Sequence, residues 1–143
     1  MGMQIRFEDH SDEVLRDLRE AVSRILEMWG MAIEGWAKRL CPVGTVESTG
    51  KKGYRGGTLR NSITHEVNEG DQTVDIGSNV EYAPYVELGT GPYFEPPPDW
   101  EQFDAERGSG IGHGYVSARP FLRPAVENNQ EKLRKIMEQE LKK

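Results

Sequence analysis

Three histidines, His10, His65 and His113, are the side chains of this chain best suited to proton transfer or metal ligation. They fall near the start, in a strand-like stretch and in a glycine-rich stretch. No His-x-x-His or His-Glu-x-x-His spacing sets two imidazoles on one helix face, as a zinc site of that type needs. Cys41 is the sole cysteine, so neither an intrachain disulfide nor a cysteine metal cluster can form, and a reducing compartment fits best. Residues 53–57 echo a phosphate-cradling loop but lack the Gly-x-x-x-x-Gly-Lys-Ser/Thr run. Ser109, between Gly108 and Gly110, lacks the strand-to-helix setting of a nucleophile elbow. With 24 Asp and Glu residues, carboxylates are too numerous for any pair to stand out. The expectation is no catalytic residue, no cofactor, no metal and no small-molecule substrate. The one enzyme reading to set against it is a metal-dependent nuclease built on His65, His113 and carboxylates.

Side chains suited to docking are more concentrated. They sit in three phrases: Gly57-Thr58-Leu59-Arg60-Asn61-Ser62-Ile63, Tyr82-Ala83-Pro84-Tyr85-Val86-Glu87-Leu88-Gly89-Thr90 and Ala118-Arg119-Pro120-Phe121-Leu122-Arg123-Pro124-Ala125. Each mixes turn formers, aromatics and single charges, a composition that suits close packing and subunit contact. Interface candidates are Arg60, Tyr82, Tyr85, Glu87, Arg119, Phe121 and Arg123. The second phrase reads either as a core-anchored turn or as one that presents Glu87 and the tyrosines to a neighbour, where aromatics are enriched. Phe121 and Leu122 are most simply core residues. Arg119 and Arg123 carry planar guanidinium groups that grip a carboxylate with two hydrogen bonds. Their partner is either Glu87 of the same chain or an acidic residue of the next copy.

The elements that must hold these phrases emerge from periodicity. Residues 3–7 alternate apolar and polar, which predicts a short strand, with Asp9 or Ser11 as the N-cap of a helix after it. Val14, Leu15, Leu18, Val22, Ile25, Leu26, Trp29, Ile33, Trp36 and Leu40 recur every three or four residues and predict one amphipathic helix over 11–40. At 1.5 Å per residue it is about 45 Å long, as wide as a whole domain of this size, so part of its apolar face is expected to project onto a neighbour. Gly30 and Gly35 inside it call for a bend or a close contact, and Pro42 ends it. Residues 59–67 read as a strand, 68–71 as a turn with Gly70 taking the positive φ, 73–78 as the returning strand and 80–83 as a third. Pro84 starts a helical turn that Gly89 closes. A second amphipathic helix runs on from Pro124 through Val126, Leu133, Ile136, Met137 and Leu141. The fold class is therefore α+β: a long N-terminal amphipathic helix packed on a small antiparallel β-sheet, with a C-terminal helix and long flexible loops at 41–57 and 91–117. In those loops the bases Lys51, Lys52 and Arg55 are either solvated or ordered against an acidic ring or the path of DNA, while Trp100 and Phe103 could dock the second loop.

In this order, the three phrases resemble those of the tail-completion or neck proteins of long-tailed bacteriophages. The resemblance spans residues 15–131 and is interrupted by an insertion at 91–114. It implies a structural virion protein of a phage or prophage, assembled in the bacterial cytoplasm. Several copies, six being the expected number, would form a ring between head connector or stopper and tail terminator. The chain in isolation would then be a monomer that assembles only beside its partners, and DNA would meet it only as non-specific passage through the lumen. The neighbouring tail-terminator ring, which caps the tube, is the alternative role. Composition agrees with assembly. At 143 residues one domain, 1–143, is expected. Only 36% of residues are hydrophobic against 29% charged, so the core is modest. A net charge of −6 and a pI near 5.1 argue against gripping nucleic acid, whose affinity comes from basic side chains displacing counterions. No stretch approaches the roughly 20 apolar residues of a membrane span or the layout of a signal peptide.

Overall fold

Helix α1, Ser11–Leu40, is the axis on which everything else is mounted. The computed structural model describes residues 2–44, 52, 56–89 and 117–143. The bounds of α1 are those its periodicity predicts. Asp12 and Glu13 in its first turn and Lys38 and Arg39 in its last complement the helix dipole. At its start, Asp9 accepts hydrogen bonds from the Ser11 amide, at 2.9 Å, and from the Ser11 hydroxyl. At its end Cys41, held ahead of Pro42, is extended at φ −63° and ψ 124°.

After α1 come α2 (Thr58–Ser62), β1 (Thr64–Asn68), β2 (Thr73–Gly77), α3 (Ala83–Leu88), α4 (Arg123–Glu127) and α5 (Gln130–Leu141). β1 and β2 form an antiparallel hairpin in which His65 faces Ile76 and Val67 faces Val74. Thr64, Glu66 and Asn68 point to solvent, while His65 and Val67 are half-buried against α1. α5 packs along α1 as well, where the Trp29 indole donates to the Leu133 carbonyl at 2.9 Å and Lys132 lies 5.6 Å from the centre of the Trp36 ring. A single cluster of Ile33, Ala37, Cys41, Leu59, Ile63, Ala83, Phe121, Ala125 and Leu133 forms the core at the C-terminal half of α1. Beside it, Glu140 is buried at the far end of α5, where Lys143 at 2.7 Å and Arg24 at 3.4 Å neutralise it.

The structure corrects several expectations within this α+β plan. Residues 3–7 form no strand: Met3, Ile5 and Phe7 are 88, 86 and 88% exposed, and among the described residues they pair with no strand that would complete their backbone hydrogen bonds. The first half of the expected strand 59–67 is the helical turn α2, which buries Leu59 and Ile63 one turn apart. No third strand forms at 80–83 among the described residues. There Ser78 instead shares a hydrogen bond with Ser62, at 2.5 Å, and accepts from the Val80 amide at 3.1 Å, making a turn. Gln72, at φ 54°, takes the positive φ of the hairpin turn in place of Gly70. The C-terminal helix is broken in two at Asn128 and Asn129, where the Asn129 side chain donates to the Ala125 carbonyl. Of the expected loops, Cys41 belongs to the core, and residues 42–44, 52, 56, 57 and 117 are described. The rest of 41–57, with Lys51 and Arg55, and all of 91–116, with Trp100, Phe103, Ser109 and His113, lie outside the described residues.

Candidate functional site

The three phrases, far apart in sequence, meet at the C-terminal end of α1. Their apolar members account for five residues of the core: Leu59 and Ile63 from the first, Ala83 from the second, Phe121 and Ala125 from the third. A pocket of about 200 Å³ marks the junction of the first two, lined by Pro42, Gly44, Gly57, Thr58, Leu59, Tyr82 and Val86.

Glu87 joins the second phrase to the third. Proline at the start of α3 and Gly89, at φ 78°, at its end fix a helical turn from which Glu87 reaches across. Its Oε2 accepts from the backbone amides of Phe121, at 2.6 Å, and Leu122, at 3.0 Å, and its Oε1 from that of Arg123, at 3.0 Å. These amides open α4, where backbone donors have no partner within their own helix. A carboxylate there satisfies three of them and lies at the positive end of the helix dipole. The Arg119 amide adds a bond to the Val86 carbonyl at 2.8 Å. Glu87 is therefore occupied by backbone donors, and the expected pairing of its carboxylate with an arginine side chain of the same chain is replaced by this latch.

Each interface candidate now has a place. Phe121 is fully buried, so its ring fills the core and offers no surface for a neighbour. Arg60 and Arg119 are exposed, and no ion pair holds either within the described residues. Arg123 is exposed and leans toward Glu127, 3.8 Å away on the same helix. Tyr82 is 42% exposed and Tyr85 half-buried.

One cluster is not foreseeable from residue types and spacing. His65 lies against Gly30 on α1, with its Nδ1 2.5 Å from Glu34 and its Nε2 2.9 Å from Glu27, and Glu34 also holds Lys38 at 2.5 Å. The two carboxylates are seven residues, two helical turns, apart, so their common face is legible in the sequence. That a histidine from the hairpin would arrive between them is not. With carboxylates at both ring nitrogens the protonated imidazole is favoured: hydrogen bonds from Glu27 first and then Glu34 raise the His65 pKa above its ordinary 6.5. Lys38 first, then His65, hold the Glu34 carboxyl below its ordinary value.

This linkage predicts a pH profile. The His65 contribution is complete below its unfolded pKa and fades as pH rises through the raised folded value. The Glu34 contribution is complete above the ordinary carboxylate pKa and fades as pH falls through the lowered folded value. The cluster is therefore most stabilising between about pH 4.5 and 6.5. In thermal melts the stability advantage of the wild-type chain over His65→Gln should be largest there and shrink above pH 7. An advantage that grows with rising pH would contradict the assignment.

Among the described residues no three His, Cys, Asp or Glu side chains come together as a metal site. Burial, the largest effect on it, pushes the Cys41 thiol up, away from the nucleophilic thiolate. Also among the described residues, no helix is long and apolar enough to cross a membrane.

Comparison with protein families gives a match. A family model described as "Bacteriophage HK97-gp10, putative tail-component" matches residues 5–89, more than half of the chain. The match takes in α1, the hairpin and the first two phrases, and it stops where Gly89 closes α3. No curated protein and no solved structure matches the chain.

Proposed function

Because the chain belongs to the HK97-gp10-like family of phage tail components, we propose that it is a tail-completion or neck protein that works without catalysis. Copies of the chain form a ring, six being the expected number, between the head connector or stopper and the tail terminator, and DNA passes through its lumen. Head-to-tail contacts of one surface with a different one close into rings when the rotation fits. The net charge of −6 suits a conduit, because a wall that bound phosphate strongly would stall transit.

The observation that carries this reading is how the three phrases are used. Their apolar side chains and the Glu87 carboxylate are consumed in holding one another, which leaves Arg60, Arg119 and Arg123 standing on a rigid base at the surface. Such guanidinium groups, positioned and not engaged in chemistry, suit bidentate contact with carboxylates of an adjoining acidic subunit.

Two experiments test it. Mixing the purified chain with DNA-filled heads and with tails from particles that lack it should restore head-to-tail joining. Capping of tubes at a fixed length would assign the terminator role instead. Arg119→Ala should leave the melting behaviour of the isolated chain within about 0.5 kcal/mol of wild type, as for surface substitutions in general, yet block incorporation into particles. A large loss of stability in that variant would assign Arg119 to the fold.

A further inference from the structure

Two parts of this chain are each one half of a β-ladder. The hairpin has only two strands, so the outer edge of β2 pairs with no other strand among the described residues, and Val74 and Ile76 stay half-buried beside that edge. An edge of this kind is a template for a further strand. Residues 3–7, Met3-Gln4-Ile5-Arg6-Phe7, are the other half. They alternate apolar and polar with the period of a strand buried on one face, yet all three apolar side chains are exposed.

Charge indicates where the two halves meet. On the solvent face of the hairpin Glu66 stands directly opposite Asp75, a like-charge pair that weakens the ladder. The rest of that face, Thr64, Asn68, Thr73 and Gly77, carries no base, and no ion pair relieves either carboxylate among the described residues. Arg6 likewise has no acidic partner there, since Glu8 beside it is held by His10 at 3.4 Å. With Arg6 set opposite Asp75, the alternation brings Ile5 and Phe7 against Val74 and Ile76 whichever way the added strand runs. Gln4 and Glu8 then stand against Thr73 and Gly77, so no new like-charge pair is made directly opposite. The β1 edge fits less well, because the same register there sets Ile5 or Phe7 against His65, whose ring nitrogens are bonded to Glu34 and Glu27.

One copy cannot make this pairing with itself. Val74 lies over Gly30, where an added Cβ would come within 3.0 Å of its side chain, and Gly30 is 19 residues beyond Ser11 on α1, a rise of about 28 Å. The chain from Phe7 to Ser11 spans at most about 14 Å. A second copy has to supply the other half.

We infer that residues 3–7 of one copy add as a third strand to the free edge of β2 in the next copy, with Arg6 beside Asp75 and with Ile5 and Phe7 on the α1 side of the sheet. Main-chain hydrogen bonds give such a contact its strength, and alternate side chains its selectivity. Each copy gives a strand from one surface and takes one on another, the head-to-tail arrangement that closes into a ring. Resting on the ring proposed above, this contact supplies its joint.

The test uses the full-length chain. In sedimentation equilibrium up to about 1 mM the wild type should associate. Ile5→Asp combined with Phe7→Asp should stay monomeric with the melting temperature of the dilute chain unchanged, since both side chains are exposed in the single copy. Arg6→Glu should weaken association about three- to tenfold, and Asp75→Arg should do the same without lowering the melting temperature. Combining the two in one chain should restore association, because the pair is remade with its signs exchanged. An equimolar mixture of the two single variants should associate better than either alone, because each strand then finds an edge of opposite charge on the other variant. A wild type that stays monomeric at about 1 mM overturns the inference, as does an Ile5/Phe7 variant that associates like wild type or a combined variant that fails to recover. Particles separate this contact from the tail role. Normal incorporation of the Ile5/Phe7 variant refutes the strand contact and leaves the tail role standing, whereas normal head-to-tail joining without the protein refutes the tail role itself.

Discussion

Glu87→Ala should lower the unfolding free energy by about 2–4 kcal/mol and should release the third phrase from the second. The carboxylate accepts from three backbone amides, at 2.6, 3.0 and 3.0 Å. A hydrogen bond to a charged group contributes about 1.5–3 kcal/mol, and three bonds to one group are not additive. Alanine leaves the amides of Phe121, Leu122 and Arg123 without their acceptor at the opening of a five-residue helix, too short to hold itself together. Phe121, fully buried, then loses the backbone anchor that aims it into the core. Glu87→Gln separates charge from shape: its carbonyl oxygen can still serve the Phe121 and Leu122 amides, while its NH₂ faces the Arg123 amide donor to donor. A loss of about 1–2 kcal/mol is expected for it, in the range of one polar group left unsatisfied. Denaturant unfolding measures both losses, and hydrogen exchange at 121–123 should rise selectively in the alanine variant. If Glu87→Ala unfolds like wild type with those amides still protected, the latch is not what holds the third phrase.

That latch also marks where the sequence stops being readable. The helical turn at Tyr82–Gly89 was legible because its signals are local: Pro84 sets φ at the start and Gly89 takes a positive φ at the end. The bounds of α1 were legible for the same reason, ten apolar positions in period and a proline beyond. What Glu87 does depends on backbone amides some 35 residues away, and a backbone amide carries no residue identity for a sequence to show. The arginines beside them invited a side-chain pairing, and the fold used the main chain instead.

The misread elements share a different cause. Leu59 and Ile63 are four residues apart, a spacing that lies on one face of either a strand or a helix. Asn61, the intervening position a buried strand face would fill with an apolar residue, is exposed and tips the balance to helix. At residues 3–7 alternation alone suggested a strand, but a strand needs an edge to pair with, and both hairpin strands lie elsewhere. At Asn128 and Asn129 the apolar period runs on through Leu133, so the break came from two residues that favour turns and caps over helix interiors. The described part of the interface set is similarly divided: Phe121 was a core residue by type, while Arg60, Arg119 and Arg123 stand at the surface as their charge demands. The family match independently supports the phage resemblance over α1 to α3, and the third phrase is joined to that matched region by the Glu87 latch.

Gly30 and Gly35 looked alike in the sequence, each an interruption of one helix, and the structure gives them opposite consequences. A methyl group at Gly35 meets nothing within 4 Å, so Gly35→Ala should raise stability by about 0.5–1 kcal/mol, the helix-propensity difference. At Gly30 the same methyl would collide with the His65 ring, lying 2.8 Å from Cγ and nearer still to Cδ2, and would come within 3.0 Å of the Val74 side chain. The ring cannot swing aside, because Glu27 and Glu34 hold both its nitrogens. The hairpin would have to lift as a unit from α1, so Gly30→Ala should cost about 1–3 kcal/mol, the range for overpacking, in spite of its gain in propensity. A double-mutant cycle gives the decisive comparison. In a His65→Ala background the obstruction is gone, and Gly30→Ala should then cost much less than in the wild-type chain, a coupling of at least about 1 kcal/mol between the two sites. Strict additivity would show that the hairpin is not seated on Gly30 through His65. The coupling would show that this glycine exists to let a charged clamp close on the helix, and that the hairpin's position on α1 is set by that clamp as well as by apolar contact.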